Sequence, residues 1–411
     1  MRRLACIVMV LTLALLPAYS RAATPPNASA QVQQGKYLAV LGDCTACHTT
    51  PGGAFLAGGA PLQTPFGALV PPNITPDPTG IGGWTDAQFI RAMRLGTAPG
   101  WKHLYPGFPY IYFTKISTPD LLALHAYLNT VTPVSHVVVA NQLPFPYNIR
   151  LAMIGWNLLF FSPGRFVPDP QQSAAWNRGA YLVEGPGHCG ACHTAKNFLG
   201  GDKTSRYLQG ALLAGWYAPG LSGDARTGLG GWSAQDIIDY LKTGHNRQDA
   251  AAGPMADVVE NSTSLMTPQD LQAITEYLKS QPAPPGLVAP SPIPATTPAM
   301  QTGAATYQAN CAACHTSAGT GIPNLFPALA GSAVVQSPDP ATLIRVILQG
   351  VQSARTPQAP TGPAMPTFGW KLSDAEIADV ATYIRNAWGN AATPVKQAVV
   401  SNARAKLVTL N

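Results

Sequence analysis

Charge is scarce in this 411-residue chain: Asp, Glu, Lys and Arg make up 11% of it, where a typical soluble domain carries about 25%. Much of its surface is therefore expected to be covered in the working assembly. The formal net charge of +6 is spread thinly, without a Lys/Arg cluster, which excludes a nucleic-acid partner. The sequence also lacks a Gly-x-Gly-x-x-Gly turn, a phosphate-binding loop and a metalloprotease motif, so substrate chemistry is expected to happen elsewhere. The apolar stretch at residues 149–161 falls well short of the roughly 20 residues that a spanning helix needs.

Cysteine is sparse too, and its placement is informative. Six of the seven lie in three copies of Cys-x-x-Cys-His: Cys44, Cys47 and His48; Cys189, Cys192 and His193; Cys311, Cys314 and His315. Two thiols at this spacing can add to the two vinyl groups of one haem, and the adjacent imidazole is then placed to bind the iron. A lone Cys-x-x-Cys could equally be half of a zinc knuckle or a redox pair. A zinc ribbon would need a second Cys or His pair beside each motif, and a disulfide framework would leave three histidines unexplained. The arithmetic points to three haem c groups, with the six cysteines as covalent attachments and His48, His193 and His315 as proximal iron ligands.

The N-terminus agrees with that chemistry. Arg2 and Arg3, an apolar run over residues 4–16 and a small-residue site at residues 20–22 have the form of an export signal. Cleavage removes the seventh cysteine, Cys6, and three arginines, which leaves 22 basic against 19 acidic residues, a net +3. Covalent haem attachment belongs to the outer side of the bacterial inner membrane, so a periplasmic location is expected.

An internal repeat organises the chain. Each unit has a short helix before its motif, a long loop rich in Gly and Pro, and a closing amphipathic helix. The opening helices fall near residues 33–38, 178–182 and 303–307, and the closing ones near 118–128, 267–278 and 373–384. Thr118 with Pro119, and Thr267 with Pro268, read as N-cap and first helical position; Ser373 with Glu376 reads as a capping box. Gly35, Gly179 and Gly303 would let opening and closing helices cross closely, with aromatics packed at the crossing. The expected fold class is all-α: three tandem small cytochrome c (class I) domains joined by Pro-rich linkers. The expected boundaries are a signal peptide at 1–22, domains at 31–132, 174–281 and 300–390, a linker with an apolar segment at 133–173, a Pro-rich linker at 282–299, and a tail at 391–411.

Two segments admit two readings each. Residues 149–161 form either a helix buried between domains one and two or an exposed docking face for a partner or the membrane interface, with Trp156, Arg150 and Arg165 well suited to the latter. The tail, with Val395, Val399, Ala403 and Leu407 at four-residue spacing, either lies on a membrane surface or is a disordered end.

The distal ligands decide what each haem can do, because a methionine thioether raises the potential and leaves no open position. Met365, in Gly-Pro-Ala-Met-Pro just before the third closing helix, is the candidate for unit three. Met255 is its counterpart in unit two, with Met266 weaker because it abuts a helix cap. Unit one departs from the pattern: Phe108-Pro109 stands where a Met-Pro pair is expected. Its sixth ligand is Met93, in a helix over residues 86–95, or His103 in the loop, or the position is open.

At this point the chain resembles a known family, the cytochrome c subunits of membrane-bound periplasmic dehydrogenases of the alcohol dehydrogenase and gluconate 2-dehydrogenase type. The resemblance rests on the three motifs in order, on the strings at residues 178–189 (Arg-Gly-Ala-Tyr-Leu-Val-Glu-Gly-Pro-Gly-His-Cys) and 253–262, and on the His103-Leu104-Tyr105-Pro106 loop, and it covers nearly all of the mature chain. It implies a subunit that takes electrons from a separate dehydrogenase catalytic subunit, of quinoprotein, flavoprotein or molybdenum type, and passes them through three haems to membrane ubiquinone. The protein would then sit on the periplasmic side of the inner membrane, peripherally associated with the membrane surface. Family members with Met in a Tyr-Pro-x-Met-Pro loop use it as a ligand; Phe108 breaks that pattern, as it does in the branch with molybdenum-type partners. Other classes stay open: a freestanding electron shuttle, against which the low charge counts, and a haem peroxidase acting at haem one if its sixth position is open.

Overall fold

The computed structural model describes residues 28–408; the expected export signal at residues 1–22, with its cleavage site and Cys6, lies outside the described residues. Within them the opening and closing helices recur three times: Ala28–Leu41 with Thr118–Leu128, Ala174–Glu184 with Pro268–Lys279, and Pro298–Asn310 with Asp374–Ile384. Each pair crosses at the expected glycine. A Cβ on Gly35 would sit 1.9 Å from the Ala123 carbonyl oxygen, on Gly179 1.9 Å from that of Ala273, and on Gly303 2.2 Å from that of Asp379. Only a residue without a side chain permits so close a backbone approach. The Cβ of the tyrosine one turn along each closing helix (Tyr127, Tyr277, Tyr383) lies at the same crossing.

The caps follow the sequence with one correction. Thr267 accepts from the Asp270 N–H, and Ser373 and Glu376 close a capping box. In unit one the cap is Ser117, whose hydroxyl accepts from the Asp120 N–H, so Thr118 is already helical. Among the described residues the fold is helix-rich but not purely helical: four short antiparallel ribbons pair Leu62–Thr64 with Gly67–Leu69, Thr97–Ala98 with Lys102–His103, Ala211–Leu213 with Trp216–Ala218, and Val351–Gln352 with Ala364–Met365.

Units one and two share one continuous apolar core, in which Leu38, Leu41, Phe113 and Leu121 meet Leu182, Leu208, Leu271 and Tyr277. Their interface is reciprocal. Tyr37 donates to Asp270 (2.8 Å) and accepts from the Thr267 N–H (3.1 Å), while Tyr181 donates to Asp120 and accepts from the Ser117 N–H (3.3 Å). The same residue of each opening helix thus engages the start of the other unit's closing helix, as across a two-fold axis. Within unit two, Arg178 donates two bonds to the same Asp270 carboxylate, both 2.8 Å.

Unit three has its own core around Tyr307, Ile344, Ile377 and Ala381. It joins unit two through backbone bonds, including Ala354 N–H to Ala251 O (3.0 Å) and Ala328 N–H to Gln248 O (3.1 Å), and through Arg226, which donates to the carbonyls of Gln336 and Ala391.

The tail is neither a membrane-surface helix nor a disordered end as far as it is described. Gln397–Val408 forms a helix folded onto unit three. Val395 and Val400 enter that core, and Arg404 binds Asp374 (2.7 Å) and the carbonyls of Leu372 and Gly369. Apolar contacts and three hydrogen-bond acceptors outweigh the entropy of a free end.

Both readings of the apolar stretch contain part of the answer. Ala152–Phe160 is a helix whose Trp156 is 7% exposed and donates to the Leu199 carbonyl (2.9 Å), while Leu151 and Leu158 are 70% and 85% exposed. Trp156 is seated on unit two, Asn157 accepts from the unit-one Tyr110 hydroxyl (2.5 Å), and Leu151, Ile154, Leu158 and Leu159 face outward. No helix among the described residues is long and apolar enough to cross a membrane.

Candidate functional site

Each Cys-x-x-Cys-His motif forms a short helix after its opening helix: Cys44–His48, Gly190–His193 and Ala312–His315. The loop that follows is closed in the same way three times. The motif histidine's carbonyl accepts an N–H from Gly58 (2.9 Å), Gly210 (2.9 Å) or Gly321 (3.0 Å), and all three glycines have positive φ.

The imidazoles are held alike as well. Nδ1 of His48 lies 2.7 Å from the Pro72 carbonyl oxygen, that of His193 2.7 Å from Pro219 O, and that of His315 2.9 Å from Pro327 O. A carbonyl can only accept, so each Nδ1 carries the proton and each Nε2 presents its lone pair. This tautomer and this second bond are the ones that commonly orient a metal-binding histidine. Burial holds all three below the ordinary histidine pKa, partly offset by the proline bond, which keeps the neutral, ligating form at physiological pH.

The six thiols are free of disulfides, with Cys47, Cys192 and Cys314 exposed and Cys44, Cys189 and Cys311 half-buried. Burial pushes Cys44 up to about 12 and Cys311 up to about 11, so the protein itself does not activate these two thiols as thiolate nucleophiles. No group of three or more His, Cys, Asp or Glu among the described residues is placed to hold a metal ion. A cysteine pair beside a preset imidazole fits covalent haem.

The supporting prolines escape sequence reasoning. Their separation from the histidine varies (24, 26 and 12 residues), yet a signal exists: Pro72-Asn73-Ile74, Pro219-Gly220-Leu221 and Pro327-Ala328-Leu329 share Pro-x-Ile/Leu.

On the distal side, Met365 lies on a ribbon strand, half-buried against the unit-three core. Met255 starts the helix Pro254–Asn261 and packs beside Ala251, Val259 and Ala354. Met266 is a buried core residue. In unit one, Phe108 packs edge-on against Phe113, which in turn meets His188. Met93, on Asp86–Leu95, is buried in the shared core and lines a small cavity with Cys44, Leu38 and Phe113. His103 lies on the strand Lys102–His103, half-buried, and its Nδ1 is closed off from solvent with no hydrogen-bond partner.

Comparison with known proteins agrees with this geometry. The family model described as cytochrome c matches residues 177–282 and 300–388. One of the subunits of nicotinate dehydrogenase from Pseudomonas putida is 42% identical over 92% of this chain, which spans only 32% of that longer polypeptide. The cytochrome c subunit of the quinone alcohol dehydrogenase of Gluconacetobacter polyoxogenes is 41% identical over 92% of this chain and 85% of its own length. The gluconate 2-dehydrogenase cytochrome c subunit of Pantoea cypripedii is 40% identical, over 88% and 87% respectively. With its three imidazoles preset for iron beside paired thiols, the chain belongs to the family of dehydrogenase cytochrome c subunits.

Proposed function

We propose that this protein is the electron-transfer subunit of a periplasmic dehydrogenase complex, holding three haem c groups in three tandem domains at residues 31–132, 174–281 and 300–390. The observation that carries this is the threefold recurrence of one arrangement: a thiol pair, a histidine whose Nδ1 is fixed by a proline carbonyl, and a glycine that closes the loop. Each haem, when bound, supplies a one-electron iron couple whose potential follows its axial ligands. Cys44 with Cys47, Cys189 with Cys192, and Cys311 with Cys314 hold the groups covalently. His48, His193 and His315 would supply imidazole ligands to the iron, and Met255 and Met365 would supply thioether ligands in units two and three.

Electrons come from a separate catalytic subunit of quinoprotein, flavoprotein or molybdenum type and leave to membrane ubiquinone. The subunit is exported by the signal at residues 1–22 and works on the periplasmic face of the inner membrane, peripherally attached. The low charge and the outward-facing Leu151, Ile154, Leu158 and Leu159 support a surface that is covered in the assembly, since contiguous exposed apolar patches mark interaction sites.

The test is purification of the tagged protein from its own membranes in mild detergent, with haem quantified per chain and quinone reduction assayed. Three haems, a copurifying dehydrogenase and substrate-dependent quinone reduction are expected. A lone, soluble protein would overturn the subunit reading in favour of a freestanding shuttle.

A further inference from the structure

We propose that His103 is the sixth ligand of the iron in unit one, so that this haem is held by two histidines. The proposal rests on unit one being a haem domain, as argued above.

The three units share a local frame that lets their distal loops be compared residue by residue. In each, the helix after the motif loop ends on a glycine of positive φ: Gly96, Gly244 and Gly350. The residue after that glycine pairs antiparallel with a returning strand. Thr97 faces His103 in unit one, His245 faces Ala250 in unit two, and Val351 faces Met365 in unit three. Units one and two add the same next bond, Leu104 N–H to Gly96 O and Ala251 N–H to Gly244 O, both 2.7 Å. His103, Ala250 and Met365 are therefore structural equivalents, and partners opposite one another on paired strands project from the same face.

Two positions in this frame carry the candidate ligands. Unit three places Met365 in the paired position itself. Unit two has Ala250 there and places Met255 five residues on. Five residues on from His103 is Phe108, which has no donor atom and packs against Phe113. Unit one thus lacks a donor where unit two has one and carries an imidazole where unit three has its thioether.

His103 is also uncommitted to any other role. Each motif histidine has its Nδ1 tied to a proline carbonyl, and His125 is tied to Asp86. The His103 Nδ1 is buried without a partner among the described residues. Its backbone, by contrast, is fixed: Arg150 donates to the His103 carbonyl (2.9 Å) and lies over the Tyr105 ring. The loop is pinned, and the imidazole has no competing hydrogen bond at Nδ1. Met93, the competitor, occupies the helical position three before the capping glycine, which is Leu241 in unit two and Ile347 in unit three. Units that carry their own methionine candidate fill this position with an aliphatic core side chain, and Met93 does the same.

The experiment uses the full-length holoprotein. Haem content per chain comes first: attachment at only two motifs, with unit one bare, overturns the haem reading of unit one and this proposal with it. With three haems attached, near-infrared magnetic circular dichroism counts the ligand types. One bis-histidine and two histidine–methionine haems are expected, with no carbon monoxide binding. His103→Ala converts that one haem to a high-spin, carbon monoxide-binding form that added imidazole restores, and Met93→Leu leaves the spectrum unchanged. His103→Met is the second variant, expected to turn the bis-histidine signature into a third thioether signature and to raise one potential. Three thioether signatures in the wild type with one lost in Met93→Leu, a high-spin haem already present in the wild type, or an unchanged spectrum in His103→Ala would each overturn the assignment.

Discussion

Substitution of Gly303 by alanine isolates the helix crossing that all three units share. The added Cβ would lie 2.2 Å from the Asp379 carbonyl oxygen, against 3.4 Å at the near end of ordinary contact, a shortfall of 1.2 Å, and 2.7 Å from the Tyr383 Cβ. The nearest obstruction is backbone, so the helices Pro298–Asn310 and Asp374–Ile384 must part. A gap approaching 1 Å forfeits a quarter to a half of the dispersion energy of the atoms lining it, and overpacking of this kind costs about 1–3 kcal/mol or more. Against this stands a gain of about 1 kcal/mol from replacing a helical glycine. A net loss of up to about 2 kcal/mol is expected, which for a domain of this size lowers the melting temperature by up to roughly 16 °C. Because unit three has its own core, calorimetry combined with hydrogen exchange of residues 298–384 should localise the effect there. Gly155→Ala is the internal control, since its Cβ would meet nothing within 4 Å on the helix Ala152–Phe160; it should be neutral or stabilising by up to about 1 kcal/mol. Equal stability of the two variants would refute the crossing argument.

Other outcomes follow from the same contacts. Tyr37→Phe and Tyr181→Phe each remove one donated and one accepted bond at the interface of units one and two, so each should cost about 1–2 kcal/mol, read from the denaturant midpoint of that pair; a loss in only one variant would contradict the reciprocal interface. Met365→Leu should lower the potential of a single haem while all three stay attached, and an unchanged redox titration would remove Met365 from the ligand set. Hydrogen bonds from Ser401 and Arg404 hold the Asp374 carboxyl below its ordinary value. Its contribution to tail docking is therefore fully present above the unfolded pKa of about 4 and is lost as pH falls through the depressed folded value. Limited proteolysis of residues 397–408 should accelerate only at acid pH, and Arg404→Ala should open the same segment at neutral pH.

The repeat is legible in the sequence because its markers are local. A cysteine pair and its histidine fall within five residues, caps are set by neighbours three apart, and Gly35, Gly179 and Gly303 stand shortly before their motifs. The capping box at Ser373 and the helix Asp86–Leu95 need no tertiary information. Sequence reasoning puts the cap of the first closing helix one residue past Ser117 because Ser and Thr are both competent caps and proline is accepted at either of the first two helical positions. The tail deceives for a different reason. Its valines read as an amphipathic surface, and only the folded chain reveals that Asp374 and the Leu372 carbonyl wait for Arg404.

Attachment chemistry, the helix-rich repeat and the family can all be read from the chain of residues, since covalent spacing and helical period are written within a few positions. Tertiary structure decided what depends on distant partners: the proline carbonyls that orient each imidazole, the exchange of Tyr37 and Tyr181 across 233 and 61 residues, and the strand register that sets His103 level with Met365. Such contacts form wherever the chain returns, and a loop's length does not state where its donor will meet its acceptor.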